Sequence, residues 1–451
     1  MFTSKKLYGF LLLLGDAAVF YLGLFLALAL RYQSLPGQAF WRKMWGIHKI
    51  PFLYVHFLWI LIFYIIGLYD FRALASRKII YEKIVRAMII SGFFTALIFY
   101  LAPAFNIAPK TNLLLDIIFV AILLGLWRRF FWFFSLKSSK IKVLFLGESK
   151  EVTGLINYLK NNPQMGYAAI ENSGIAGVES QEFNRDIIHF IQKREIQIVV
   201  VLEEILKNDS ISKMLYGALP LGVRVMNFPA FYEIVMEKIP VSIIDERWFL
   251  ENIDEVNKKT AEFFKRIFDI VFAILVGIPA LILLPFMAFF NKITRGGVFY
   301  KQERVGKDGK VFTLFKFGSM ILNAEKDGAE WVKENDRRIT KFGKFLRKMR
   351  LDELPQLWNV LKGDMSFVGP RPERPEFVRE LEKKIPHYSM RHLVKPGLSG
   401  WAQIKLPHGG VGEETTEKIQ YDFYYIKNRS FILDMTIVLK TLAIIARREG
   451  V

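Results

Sequence analysis

Four apolar runs lie in the first 135 residues, roughly Tyr8 to Leu30, Pro51 to Tyr69, Ala87 to Ala104 and Asn112 to Leu136. Each is about the 20 residues that a helix needs to cross a bilayer. Residues 1–137 are therefore predicted to form a four-helix transmembrane domain. Lys5 and Lys6 precede the first run, but it is too long for a signal peptide and no small-residue cleavage site follows it, so it is expected to stay attached. Basic residues gather at both ends of the bundle and around Arg72, Arg77, Lys78, Lys83 and Arg86, whereas the third-to-fourth connection has only Lys110. That asymmetry predicts a multi-pass protein with both ends on the cytoplasmic face. Asp16 and Asp116 interrupt the runs. Bonded to a neighbouring helix each is structural, and otherwise each invites a functional reading.

The chain is 52% hydrophobic and yet carries a formal net charge of +19, so the segments outside the runs are strongly basic. A basic exterior beside membrane helices suits anionic lipid headgroups and phosphates, and nucleic acid is not expected as a partner. There is no cysteine, which excludes disulfides, thiolate nucleophiles and cysteine-held zinc. The six histidines form no HExxH pattern. Any metal should then be a hard cation on carboxylates, such as Mg²⁺.

From Ile141 the pattern alternates between short β-like runs (IKVLFLG, EIQIVVVLEE, VRVMNF) and helical stretches. Residues 138–255 are predicted as a Rossmann-like α/β domain. A dinucleotide fingerprint beginning at Gly147 needs glycines where Ser149 and Val152 stand, so the domain is expected to be structural, oligomerising or ligand-sensing rather than oxidoreductive. Residues 256–451 then open with a fifth apolar segment, about 263–290, interrupted by Gly277, Pro279 and Pro285 and flanked by basic residues on both sides. Pro279 is expected to break the helix at mid-depth, giving a re-entrant helix-break-helix; a kinked fifth span is the alternative.

The chemistry concentrates beyond that anchor. VFYKQERVGKDGKVFTLFKFGSM reads as two strands around an Asp308-Gly309 turn, with Lys316 on the face of Phe312 and Leu314. A lysine there either meets an anion or snorkels at a sheet edge. In RKMRLDELPQLWNVLKGDMSFVGPRPE, leucines at helical spacing, Pro355 in the first turn and Gly363 at the end put Asp352 and Glu353 at a helix start. Taken singly this is a capping feature; with Lys316, Arg347 and Arg371 it makes a phosphoryl-transfer constellation in which two carboxylates hold Mg²⁺ and two guanidiniums clamp a diphosphate. Trp401 is either an interfacial aromatic or core, and FILDMTIVLKTLAIIARR suits a helix lying in the interface.

Taken together, KRIFDIV with its proline-broken segment, FYKQERVGKDGKVFTLFKFGSM, LDELPQLWNVLKGDMSFVGPRPE, VKPGLSGWAQI and YDFYYIKNRSFILD resemble the bacterial polyprenyl-phosphate phosphoglycosyl transferases of the monotopic type, over about Phe263 to Val451. The preceding helices and degenerate α/β domain are similar to long members that initiate O-antigen, capsule or exopolysaccharide assembly, such as undecaprenyl-phosphate galactose and glucose phosphotransferases. The resemblance implies an α+β catalytic domain, anchored by the re-entrant segment to the bacterial inner membrane on its cytoplasmic face. It implies a UDP-sugar donor, a polyprenyl phosphate acceptor, Mg²⁺ as cofactor and a homodimer. Asp352 would be the nucleophile that takes the sugar phosphate and releases UMP, Glu353 a metal partner, and Lys316, Arg347 and Arg371 the phosphate-binding cations. Asp422, in YDFYY, would contact the site or anchor its fold. Gly318 replaces the family's arginine in KFRSM and Arg350 its usual Ser or Thr, so substrate preference does not carry over. An inactive scaffold or nucleotide sensor of an envelope-polysaccharide complex is the competing class, and the Asp352-Glu353 pair argues against it.

Overall fold

The computed structural model describes residues 3–32, 44–69, 77–101, 110–137, 140–170, 181–254, 259–322, 324, 336–406 and 413–446. The chain divides into two compact units, Met1–Phe228 and Pro229–Val451.

The first unit begins with helices α1 (Thr3–Tyr32), α2 (Gly46–Ile66), α3 (Arg77–Leu101) and α4 (Lys110–Lys137). These cover the four predicted runs, although α3 begins ten residues before its run and α2 and α3 each end three residues short of theirs. Phe20, Trp59, Phe63, Val120 and Leu124 fill the bundle core, while apolar residues such as Phe57, Ile89 and Leu126 face outward. A helix that is apolar all round is what a bilayer demands. Asp16 accepts a hydrogen bond from Arg128 at 2.5 Å with both side chains buried, and Asp116 lies 3.6 Å from His56. Asp16 is thus bonded to a neighbouring helix, the structural alternative.

Strands β1 (Ile141–Leu146), β2 (Tyr167–Ile170), β3 (Ile198–Val201) and β4 (Arg224–Asn227) form a parallel sheet in the order β2-β1-β3-β4. Helices α5 (Lys150–Asn161), α6 (Gln181–Arg194) and α7 (Asp209–Ala218) alternate with them. All four residues of β3 are buried, as a strand covered on both faces requires. Ser149 caps α5, its Oγ accepting from the Val152 backbone N–H at 3.1 Å. The two positions that lack fingerprint glycines therefore bond to each other.

In the second unit, α8 (Phe228–Met236) and α9 (Glu246–Asn252) come first. Ile239, Ile244, Trp248 and Phe249 share one core with Val368, Tyr388, Trp401 and Phe423, so residues 229–254, expected with the α/β domain, pack with the C-terminal part. Next is a long helix, α10 (Lys259–Arg295), then an antiparallel hairpin of β5 (Phe299–Val305) and β6 (Val311–Phe317). The Asp-Gly turn is as expected, with positive φ at Asp308 (57°) and Gly309 (73°). Helix α11 (Lys341–Lys348), α12 (Gln356–Lys362), β7 (Ser366–Val368), α13 (Pro375–Lys384), β8 (Gly397–Ser399), α14 (Glu413–Asn428) and α15 (Phe431–Ala446) complete it, with β7 and β8 paired in parallel.

The expected break at Pro279 is absent: α10 runs unbroken through Pro279 and Pro285. Asp269, Ala273, Val276, Ala280, Leu284, Met287 and Asn291 follow one another at helical spacing, and all are buried or half-buried. They pack along the domain from Asp269 to Asn291, about 33 Å at 1.5 Å per residue. Both prolines are on the exposed side, and tertiary packing on the other side overrides their cost. Polar stitches hold the stripe. Asp269 accepts from Ser366 Oγ and the Phe367 N–H, both at 2.9 Å. Lys265 pairs with Asp434 at 2.7 Å, and Asn291 donates to the Val298 carbonyl at 2.7 Å. The outer face is continuously apolar, with Ile278, Leu281, Ile282 and Phe286 all more than half exposed.

Trp401 is core: it is buried, stacks on Tyr424 and donates to the Glu237 carbonyl at 3.1 Å, so the interfacial alternative does not hold. Helix α15 buries Ile437 and Asp434 and exposes Phe431, Ile432 and Leu442.

Candidate active site

Three segments meet at the site, and each is pinned by a buried polar side chain. Asn359 of α12 donates to the Thr313 carbonyl at 2.7 Å and accepts from the Phe315 N–H at 3.2 Å. It thereby fixes the end of β6 that carries Lys316. Thr340 caps α11 through the Gly343 N–H at 2.9 Å, and one turn on, Arg347 Nε donates to Ser319 Oγ at 2.8 Å. The Gly-Pro-Arg-Pro turn is held from two sides: Arg304 donates to the Pro372 carbonyl at 3.0 Å, and Arg391 to the Arg371 carbonyl at 2.8 Å.

Asp352 and Glu353 lie on a 3₁₀ turn, Leu351–Glu353, entered through Arg350 in the left-handed region (φ 52°). Helix α12 starts at Gln356, so the pair stands ahead of the helix rather than in its first turn. Glu353 Oε1 accepts from Arg371 Nη2 at 2.9 Å and from Lys316 Nζ at 3.4 Å, and Arg350 Nη1 is 3.7 Å from Oε2. Burial by itself would raise the Glu353 pKa, but the charges of Arg371, Lys316 and Arg350 outweigh it and hold the carboxyl well below the ordinary carboxylate range. Asp352 is buried, and no ion pair engages it among the described residues. Burial first, and then the charge of Glu353, push its pKa up, against Lys316, Arg347 and Arg371. Lys316 and Arg347 are both lowered by burial, with Glu353 and Asp352 respectively opposing. Two neighbouring carboxylates thus differ: one is locked as an anion among cations, the other is free.

No cluster of three or more candidate metal-ligating residues occurs among the described residues. The donor set still fits a loosely held Mg²⁺, which commonly takes one or two carboxylates and completes its shell with water and substrate phosphates. Asp352 can provide that carboxylate. Glu353 is less available, because three cations would have to release it.

A family model for bacterial sugar transferases matches residues 260–448, a span that holds every predicted site residue and Pro279. Over 366 residues, 72% of this chain and 70% of the relative, the chain is 30% identical to an undecaprenyl-phosphate galactose phosphotransferase of Salmonella typhimurium. The chain belongs to the bacterial sugar transferase family. It is also 45% identical over 190 residues to a UDP-N-acetylgalactosamine-undecaprenyl-phosphate N-acetylgalactosaminephosphotransferase of Aeromonas hydrophila, covering 42% of this chain and 45% of that one. Identity to a UDP-glucose:undecaprenyl-phosphate glucose-1-phosphate transferase of Xanthomonas campestris pv. campestris is 47% over 149 residues, 32% of this chain and 31% of the relative. The chain spans less than half the length of these last two relatives.

In this sugar transferase, Asp352, Glu353, Lys316, Arg347 and Arg371 come together as the sequence predicts. Asp422 does not join them. It accepts from Arg391 at 2.9 Å, and Arg391 in turn holds the Arg371 carbonyl, so Asp422 anchors the turn that carries Arg371. Burial raises the Asp422 pKa to about 6, against the charge of Arg391. The sequence reading missed Ser319, Arg350 and Arg391 as parts of the transferase site. Ser319 lies inside the quoted KFGSM motif, and Arg350, noted there only as a departure from the family pattern, faces Glu353.

Proposed function

We propose that this protein transfers a sugar 1-phosphate from a UDP-sugar to undecaprenyl phosphate, releasing UMP, as the first step of O-antigen, capsule or exopolysaccharide assembly. The single observation that carries the reading is the unequal carboxylate pair: Asp352 is buried and free of ion pairs, beside a Glu353 that gathers Arg371, Lys316 and Arg350. The names of the relatives support the acceptor and the class of donor.

In the first half-reaction an Asp352 carboxylate oxygen attacks the β-phosphorus of the donor. The bond from that phosphorus to the bridging oxygen breaks, and its electron pair leaves with UMP. Lys316, Arg347 and Arg371 neutralise the charge that builds on the phosphoryl oxygens, while Glu353 keeps Lys316 and Arg371 in place. In the second half-reaction a phosphate oxygen of the polyprenyl acceptor attacks the same phosphorus and displaces the Asp352 carboxylate. Asp352, together with the substrate phosphates, would hold Mg²⁺, and the ion would supply charge neutralisation at the diphosphate. The α10 helix lies in the membrane interface with its apolar face in one leaflet, so that both its ends and the site stay on the cytoplasmic side. Homodimeric assembly belongs to the same reading.

The test is UMP release from a panel of UDP-sugars by the full-length protein with Mg²⁺ and polyprenyl phosphate, alongside capture of radiolabelled sugar phosphate on the protein. Wild type acquires label from the donor alone and loses it on addition of acceptor. Label retained on Asp352→Asn at the wild-type level would show that the nucleophile lies elsewhere.

A further inference from the structure

Arg350 is a guanidinium at the site to which the proposed reaction gives no task. Its side chain is only 20% exposed, and its Nε is buried without an acceptor among the described residues. The ion pair it makes, Nη1 to Glu353 Oε2, spans 3.7 Å, beyond hydrogen-bond reach. Glu353 is meanwhile bonded through its other oxygen, by Arg371 at 2.9 Å and Lys316 at 3.4 Å. A buried N–H without an acceptor is costly, and it calls for a partner with acceptor oxygens. Arg350 also holds φ at 52°, a left-handed conformation uncommon outside glycine, Asn and Asp. Backbone strain of this kind gathers where a side chain has to be aimed at a ligand.

A second observation lies on β6. The β5–β6 ladder runs one step past Phe317, where the Gly318 N–H donates to the Val298 carbonyl at 3.1 Å. Strand alternation then puts position 318 on the face of Leu314 and Lys316, about 7 Å beyond the lysine. Gly318 is buried and lies outside the positive-φ region, so the backbone does not require glycine there. What the position lacks is a side chain on the face that carries Lys316. That end of β6 is tied to the turn leading into Arg350: Ser319 Oγ accepts from Arg347 Nε at 2.8 Å, and the Arg350 N–H donates to the Arg347 carbonyl at 3.0 Å. The two departures from the family's motifs, glycine for arginine at 318 and arginine for Ser or Thr at 350, therefore fall on two segments in contact.

We propose that Arg350 binds the β-phosphate of the nucleotide-sugar donor, supplying from the Leu351–Glu353 turn the guanidinium that β6 would otherwise present from position 318. Its place two residues before Asp352 puts it at the phosphate that Asp352 attacks. As the donor enters, the guanidinium turns from Glu353 Oε2 to a phosphate oxygen, while Arg371 and Lys316 stay on Oε1. Of the three cations on Glu353, Arg350 gives up the least, since its pairing is the longest and has no hydrogen bond. The inference rests on the donor proposed above and adds a substrate contact to it.

The experiment titrates UDP and UMP, with Mg²⁺, onto the detergent-solubilised full-length protein by calorimetry, and measures UMP release from UDP-sugars in parallel. Arg350→Ser should weaken UDP about tenfold and UMP no more than about twofold, the loss of one charge-assisted contact to the second phosphate. Arg350→Lys, which keeps a cation without the fork, should fall between wild type and the serine variant, and it carries the test if the serine variant does not fold. Gly318→Arg added to Arg350→Ser should return UDP affinity to within about threefold of wild type. Unchanged UDP affinity in a folded variant, or equal weakening of UDP and UMP, would overturn the proposal. Selective loss that Gly318→Arg does not repair would overturn the exchange between the two positions and leave the contact. UMP release by Arg350→Ser at the wild-type donor KM would sink the contact alone. A wild-type protein that discriminates UDP from UMP through Arg350, yet releases no UMP from any UDP-sugar, would instead sink the transfer reaction and leave Arg350 standing.

Discussion

A proton leaving Asp352 leaves a charge in a buried place next to an existing one, Glu353, and only the surrounding cations make the loss tolerable. In the proposed mechanism Asp352 reacts as the ionised carboxylate, so activity should be fully present above its raised pKa and fade as pH falls through it. The acid limb of kcat/KM should therefore lie above the ordinary aspartate value of about 3.9. Glu353→Gln removes the neighbouring charge, which predicts a limb moved to lower pH together with a lower plateau; a limb that stays put would assign it to another group. Arg391→Lys keeps a cation but cannot bridge Tyr388, Asp422 and the Arg371 carbonyl at once. We expect kcat to fall about tenfold or more with donor KM less affected, as for a group acting through another. At this scale the residues legible in the sequence were charges in apolar surroundings: Lys316 on the strand face of Phe312 and Leu314, and Asp352-Glu353 among leucines. Ser319 and Arg391 were not legible, because their partners lie 28 and 20 to 31 positions away and only folding brings them together.

Periodicity carried most of the information at the level of elements. The four N-terminal helices, the β5–β6 hairpin with its Asp-Gly turn and the alternating α/β segment all formed where the pattern put them. Pro279 misled for a definite reason: local propensity argues for a break, but one face of α10 is held by the domain on both sides of the proline. Packing of that kind is invisible until the partner surface is known. The same contacts make a prediction about Asn359, which joins α12 to β6. Asn359→Ala leaves the Phe315 N–H and Thr313 carbonyl without partners and should cost about 2–4 kcal/mol, read as a lower unfolding temperature of the detergent-solubilised protein. Activity should drop with it, since Lys316 is next on the strand. In the bundle, Asp16→Asn strands Arg128 without its counter-charge and should destabilise by about 3–5 kcal/mol. Replacing both by apolar residues should recover much of that loss.

For the whole molecule, the absence of cysteine provides a clean background for mapping sidedness. Single cysteines at Glu251 and Lys292, exposed positions before α10 and in its last turn, should both resist a membrane-impermeant maleimide in intact cells and both react once the membrane is permeabilised. Reaction of only one in intact cells would mean that α10 crosses. Domain order was legible from shifts in composition, but the division at Phe228 was not, because residues 229–255 are as apolar as the α/β segment before them and only Trp248 and Phe249 in the C-terminal core reveal where they belong. The cations around Asp352 and Glu353 have a further consequence for the order of events. Lys316, Arg347, Arg350 and Arg371 against two carboxylates leave two positive charges in excess. In the proposed reaction a nucleotide diphosphate would cancel that excess on arrival, UMP would carry it off, and a sugar phosphate ester on Asp352 would keep the single negative charge the carboxylate had. On that reading the free site and the proposed covalent intermediate would present the same electrostatic surplus, first to a water-soluble dianion and then to one that arrives from the lipid, so that one set of side chains would serve two visitors in turn.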